Sequence, residues 1–375
     1  MSLYRSLLSA AAAVLSSTPR AMASEDDTQP VGENPIAAGG KHTYSTEFLG
    51  HQWANNSCSK RDLGFTGKLG GKWYAVYGDT LWCAPGITDA TEETPGFHGM
   101  VRDSLSALTD DPLVVEDLHL NDDEPVPHQN QFVPFNEAWG ETNRYGFGGT
   151  SIVETDAESA TGALYYLVNA EEHYKGAGVA KVELVDGMPT VTKRHGDGHG
   201  YWWSGDETPK YGDVAAYRDE RSDYIYILGN PPNSITDWPD TSYIYQARVR
   251  ARDAFDLDKY EYWWGRSRGW KGDVLTKFDP TTAVMWGCGQ GQMVWSRYFE
   301  QYIYVHMNGP SLCLRFAPSP GGPWTGDAEL YTTEPIDGGF VYAGLAYPHL
   351  DESGKTLTVG WTNNNFIEIL KITFD

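Results

Sequence analysis

Two aspartates, Asp62 and Asp79, stand on either side of Gly70-Gly71 within two β-like runs. A Gly-Gly pair between such runs is a hairpin signal. In a hairpin turning there, Phe65 faces Val76, Asp62 faces Asp79, and Cys58 falls opposite Cys83. Directly opposed residues have Cβ atoms roughly 4.5–5.5 Å apart. Carboxylates that close interact, so one holds its proton to higher pH. That is what acid/base chemistry needs. The bland alternative is that aspartates at strand ends tie loops through backbone hydrogen bonds. Asp213 occupies a comparable place further along and is a third candidate, in a supporting role.

Other residues could surround these carboxylates. Asn56 and Arg102 could hydrogen-bond hydroxyl groups, as could Gln290 and Gln292. Trp82 and Tyr201-Trp202-Trp203 are candidate stacking platforms for sugar rings, against the plainer role of packing long loops. His98 or His128, with Tyr201 and Arg102, would suit a polysaccharide lyase, and Glu137 is a spare carboxylate. No P-loop, nucleophile elbow or HExxH motif occurs.

The elements that must position these residues are short strands broken by Gly, Pro, Asn and Asp, with little helical periodicity. One unit recurs: a small-residue strand with Gly, a polar turn, then a Tyr/Val/Ile strand. Its copies are Arg61–Thr80, Gly148–Val168, Tyr211–Gly229, Gly289–Val305 and Gly344–Trp361. Third strands follow at Gly178–Leu184, Tyr243–Arg250 and Ser311–Phe316. Strand repeats at this spacing predict an all-β fold, a five-bladed β-propeller; the rival, a β-sandwich, does not explain a fivefold unit. His42–Leu49 is expected to close the ring with the last blade. First strands would then start at one face and second strands end there, which puts Asp62, Asp79 and Asp213 around one funnel.

Composition narrows the classes. The 375 residues carry a net charge of −23, which argues against nucleic acid as a partner. Residues 1–23 read as a secretory signal, with Arg5, an apolar run Leu7–Leu15 and Ala21-Met22-Ala23. That run is too short to span a bilayer, so no membrane partner is expected. Residues 24–40 read as a flexible leader, and residues 41–375 as one β-propeller catalytic domain. Four cysteines are present, and the hairpin favours a Cys58–Cys83 disulfide. Cys288 and Cys313 are not assigned a bond. Asn55-Asn56-Ser57 is the sole N-glycosylation sequon. With 14 Trp and 23 Tyr, aromatics are plentiful; most should fill the β core, and some suit sugars. No motif requires a cofactor or metal, although the sequence leaves room for a structural calcium ion.

Several phrases carry a resemblance. Arg61-Asp62 with Val76-Tyr77-Gly78-Asp79-Thr80, Tyr260-Glu261-Tyr262-Trp263, and Leu314-Arg315-Phe316-Ala317-Pro318 followed by Gly322-Pro323-Trp324 resemble, in that order, the domain-of-unknown-function 4185 family. The resemblance implies a five-bladed propeller related to glycosidases, including endo-D-arabinanases of glycoside hydrolase family 183, with Asp62 and Asp79 as the implicated aspartates. The expectation is a secreted, monomeric glycoside hydrolase acting on a cell-wall or plant polysaccharide. A lyase and a non-catalytic carbohydrate-binding propeller are the alternatives.

Overall fold

The computed structural model describes residues 43–54, 60–83, 97–121, 128–170, 173–196 and 198–375. The expected secretory signal and leader, Asn55, Asn56 and Cys58 lie outside the described residues. Five antiparallel sheets form the blades of a β-propeller. Blade 1 contains Arg61–Leu69, Lys72–Cys83, Ser104–Leu108 and Val114–Asp117. Blade 2 contains Val153–Asp156, Thr161–Ala170, His173–Val185 and Met188–His195. Blade 3 contains Ala215–Asp219, Tyr224–Gly229, Tyr243–Arg250 and Glu261–Trp263. Gly291–Ser296, Gln301–Asn308, Ser311–Ala317 and Ala328–Thr332 make blade 4. In blade 5, Val341–Ala346, Thr356–Asn363 and Phe366–Phe374 are joined by Tyr44–His51.

That last pairing closes the ring. Tyr44–His51 runs antiparallel to the final strand, from Tyr44↔Phe374 to His51↔Glu368. It covers an edge that would otherwise offer unpaired backbone groups to other chains. The first strands of successive blades touch in cyclic order, with blade 5 returning to blade 1.

Small residues make that contact possible. A Cβ on Gly67 would lie 2.1 Å from the Ile152 carbonyl oxygen, so only glycine lets blades 1 and 2 approach so closely. Backbone bonds then tie neighbours: Gly291 N–H donates to the Val214 carbonyl, and Gly344 N–H to the Gln290 carbonyl. Buried Gln292 adds a side-chain tie. Its Nε2 donates to the Thr66 carbonyl at 2.8 Å, while its Oε1 accepts from the Thr66 and Ala346 N–H groups.

Apolar residues, many of them on second and third strands, fill the spaces between blades. Leu69, Val76, Phe147, Ile152, Leu164 and Tyr166 pack between blades 1 and 2. Val305, Phe316, Trp361 and Leu370 do so between blades 4 and 5. Trp203, Trp324 and Trp361 are among the largest fully buried side chains, so much of the aromatic content is core.

Candidate active site

The first hairpin follows the expected register only in part. Phe65↔Val76 through Leu69↔Lys72 pair regularly; Leu63 then faces Tyr77, and Arg61 faces Thr80. Two irregularities lie between these pairs, where Leu63 and Gly64 take positive φ of 60° and 111°. Such bulges re-aim side chains. Here they fold the Asp62 carboxylate across Gly78, where an added Cβ would lie 2.2 Å from Oδ1. The glycine is thus what makes room for the acid.

Asp62 Oδ1 is shut off from solvent. Asp62 Oδ2 accepts a 2.6 Å hydrogen bond from the Tyr342 hydroxyl, which comes from the first strand of blade 5. Burial raises the Asp62 pKa to about 6, despite the opposing pull of the Tyr342 hydroxyl and the Asp79 and Asp62 backbone N–H groups. No cation is among the groups that set it. Burial also raises the Tyr342 phenol far above its ordinary range, and the Asp62 and Asp79 charges add to that rise. Tyr342 therefore stays a donor and feels both aspartates. Asp79 itself is half-buried on the second strand.

Asp213 stands at the entry to blade 3, where Asn230 Nδ2 donates to its Oδ2 at 2.6 Å. Its charge reaches Tyr174 of blade 2 and Tyr304 of blade 4. Three blades thus converge on it, as blades 1 and 5 converge on Asp62.

The remaining sequence candidates are placed as follows. Half-buried Trp82 stacks on His128, with ring centroids 4.2 Å apart, and packs against Gly99 on the extended wall of the hairpin. Tyr201 lies against Gly176, while Trp202 meets Trp203 and Tyr260 edge-on. These rings pack within and between blades rather than standing open as platforms. Arg102 is half-buried beside Gly146. His98 belongs to the strand Phe97–Val101. Gln290 is half-buried at the entry to blade 4, whereas the Gln292 amide is engaged at the axis. Glu137 opens a short 3-10 turn capped by Asn136. Cys83 is buried, its proposed partner Cys58 is outside the described residues, and Cys288 and Cys313 are free.

Two carboxylates escaped the sequence reading. Asp103 is fully buried, receives Val133 N–H at 2.6 Å, and is raised to about 7 by burial against the pull of that N–H and of Arg194. Its only sequence signal is its place at the start of a third strand. Asp327 belongs to a His306, Cys313 and Asp327 group whose ligand atoms lie within 4.8 Å of one another. The Arg315 Nε–H donates to Asp327 Oδ1 at 2.6 Å, so a guanidinium already supplies the positive charge that a metal would bring.

The chain is similar to a described family and to several solved structures. Residues 186–365 match the family described as "Domain of unknown function (DUF4185)". No curated protein matches the sequence. Among solved structures, a "putative hydrolase" from Bacteroides ovatus ATCC 8483 is similar over 87% of this chain and 87% of that chain, with 14% identity and a TM-score of 0.59. An exo-beta-1,3-galactanase from Phanerochaete chrysosporium with galactose is similar over 87% of this chain and 64% of that chain, with 11% identity and a TM-score of 0.48. The GH43_1 enzyme from Xanthomonas citri complexed with xylose has 12% identity, 87% and 90% coverage and a TM-score of 0.49.

Proposed function

We propose that the protein is an exported glycoside hydrolase acting on a cell-wall or plant polysaccharide, arabinan-type chains being the first to try. The observation that carries this reading is the Asp62–Tyr342 contact beside Asp79, in which a half-buried carboxyl with its Oδ1 shut off from solvent is raised to about 6 with no cation to hold it ionised. A carboxylic acid in that condition is a proton donor in a mildly acidic medium. Asp62 delivers its proton to the glycosidic oxygen as the bond to the anomeric carbon breaks. Asp79 is the second carboxylate, either as base toward water or as nucleophile, and the anomeric configuration of the product decides between the two. Asp213 supports binding from blade 3. The likeness to the Bacteroides ovatus structure concerns the fold alone, and the chemistry rests on the residues. A Cys58–Cys83 disulfide would brace the mouth of the same hairpin.

Incubation with arabinan, arabinogalactan and polygalacturonate, followed by reducing-end and ultraviolet assays, tests the reading. New reducing ends without an unsaturated product are expected. Asp62→Asn and Asp79→Asn should each lower the rate by about 10²–10⁴-fold with glycan binding retained. An unsaturated uronate product, or full activity in both variants, would sink the assignment.

A further inference from the structure

Two rings beyond the stacking candidates above stand open on strand connections at the end of the blades that carries the aspartates. Trp238 is 67% exposed and Phe340 is 45% exposed. Trp238 lies in the connection from Tyr224–Gly229 to Tyr243–Arg250. That connection begins at Asn230, whose side chain holds Asp213. Phe340 directly precedes Val341–Ala346, the strand whose Tyr342 holds Asp62. Both connections join strands at the face where the aspartates lie.

Isolated surface aromatics are ordinary and need no explanation. These two differ in the hydrogen-bonded backbone that carries them. Around Trp238, Thr241 N–H donates to the Asp237 carbonyl and Ser242 N–H to the Pro239 carbonyl. Asn364 N–H donates to the Phe340 carbonyl at 3.0 Å. An exposed ring on pinned backbone presents apolar area with few torsions left to order, which suits the C–H face of a sugar. Charge narrows the sugar. Exposed Asp237 adjoins Trp238, and exposed Glu334 and Asp337 precede Phe340. Carboxylates so placed repel an acidic chain.

We propose that Trp238 and Phe340 are stacking platforms for an uncharged glycan chain, Phe340 next to the reacting centre and Trp238 further out on blade 3. The inference rests on the hydrolase reading for its reacting centre, but its test is binding. Retention of the protein on arabinan, arabinogalactan and polygalacturonate would be measured by affinity electrophoresis. Retention on at least one neutral polymer and none on polygalacturonate is expected. Trp238→Ala and Phe340→Ala should each weaken it roughly tenfold, the worth of one good aromatic contact, while Trp238→Phe recovers most of it. Unchanged retention in both alanine variants, preference for polygalacturonate, or no retention on any polymer overturns the proposal. Variants that hydrolyse normally with unaltered retention would remove the platforms and leave the hydrolase standing. Retention lost in the variants, with no hydrolysis by the unaltered protein, would do the reverse.

Discussion

Asp62 in blade 1 and Asp327 in blade 4 are both held by strong hydrogen bonds, yet their surroundings drive them in opposite directions. Asp62 meets a neutral hydroxyl at 2.6 Å and burial wins, so its pKa climbs to about 6. Asp327 is 22% exposed and faces the Arg315 guanidinium at 2.6 Å and His306 Nε2 at 2.9 Å. Burial raises it too, but the His306 and Arg315 interactions outweigh that and hold it well below the usual carboxylate range. A paired carboxylate in this fold is a strut, locked in one protonation state. An unpaired one is poised to change state, which costs stability and is tolerated where chemistry needs it.

The largest expected break in this contrast is in stability. Asp327→Ala leaves Arg315 buried without its carboxylate and should cost roughly 3 kcal/mol, the low end for breaking a buried pair because Asp327 is partly exposed. Asp62→Asn should be neutral or stabilising at pH 7, since an amide can still accept from Tyr342 and no charge is desolvated. Urea midpoints at unchanged slope measure both. Equal losses in the two variants would erase the distinction between strut and acid.

The same contrast has a pH signature. Asp62 binds its proton more tightly folded than unfolded, so its ionisation destabilises the fold as pH rises from about 4 through about 6. The size is on the order of 2–3 kcal/mol for a rise of this extent. Asp103, raised to about 7, acts in the same sense over a wider window. Asp327 is lowered, so its contribution is present above its unfolded value and is lost as pH falls below about 4. Stability by chemical denaturation should therefore peak between these windows. Asp62→Asn should flatten the fall between pH 4 and 6 and leave the acid side unchanged. A curve of identical shape in the variant would mean that Asp62 ionises normally.

Much of the fold could be read from the chain, because each blade repeats the same local chemistry. First strands carry glycines, such as Gly67 and Gly344, where neighbouring blades crowd together, and Tyr/Val/Ile second strands pack between sheets. The closing strand was visible too, since an unpaired last blade demands one. Around the candidate site, the hairpin register was legible only up to Phe65↔Val76. Beyond that pair the bulge at Leu63-Gly64 depends on contacts with blade 5, including Leu63 N–H to Thr362 Oγ1 at 2.9 Å. Tyr342 reaches Asp62 across 280 residues of chain, a contact that no local pattern encodes. The packing of Trp82 and Tyr201–Trp203 was hidden for a related reason: a ring's exposure is set by its neighbours in space, and in sequence these rings look no different from Trp238.

A subtler break targets the geometry around Asp62 and keeps its chemical identity. Gly78→Ala puts a methyl 2.2 Å from Asp62 Oδ1, and the carboxyl must move. Displacement by about 1 Å from a productive position costs about 10²-fold in rate. The loss should appear in kcat, with glycan retention unchanged. Normal kcat in this variant would mean that the position of Asp62 over Gly78 does not matter to turnover.

The finest adjustment is Tyr342→Phe. The hydroxyl bond favours the charged form of Asp62, so its loss should raise the Asp62 pKa further above about 6. A hydrogen bond to a charged group is worth about 1.5–3 kcal/mol, so a shift of about one unit is expected. A general acid that keeps its proton to higher pH keeps working there. The basic limb of kcat/KM should move up by that unit, while kcat at the optimum falls because the carboxyl is less well held. Difference infrared titration of the carboxyl band gives the same pKa without any substrate. A basic limb that stays in place while the infrared pKa moves would show that some other group, Asp79 or Asp213, delivers the proton.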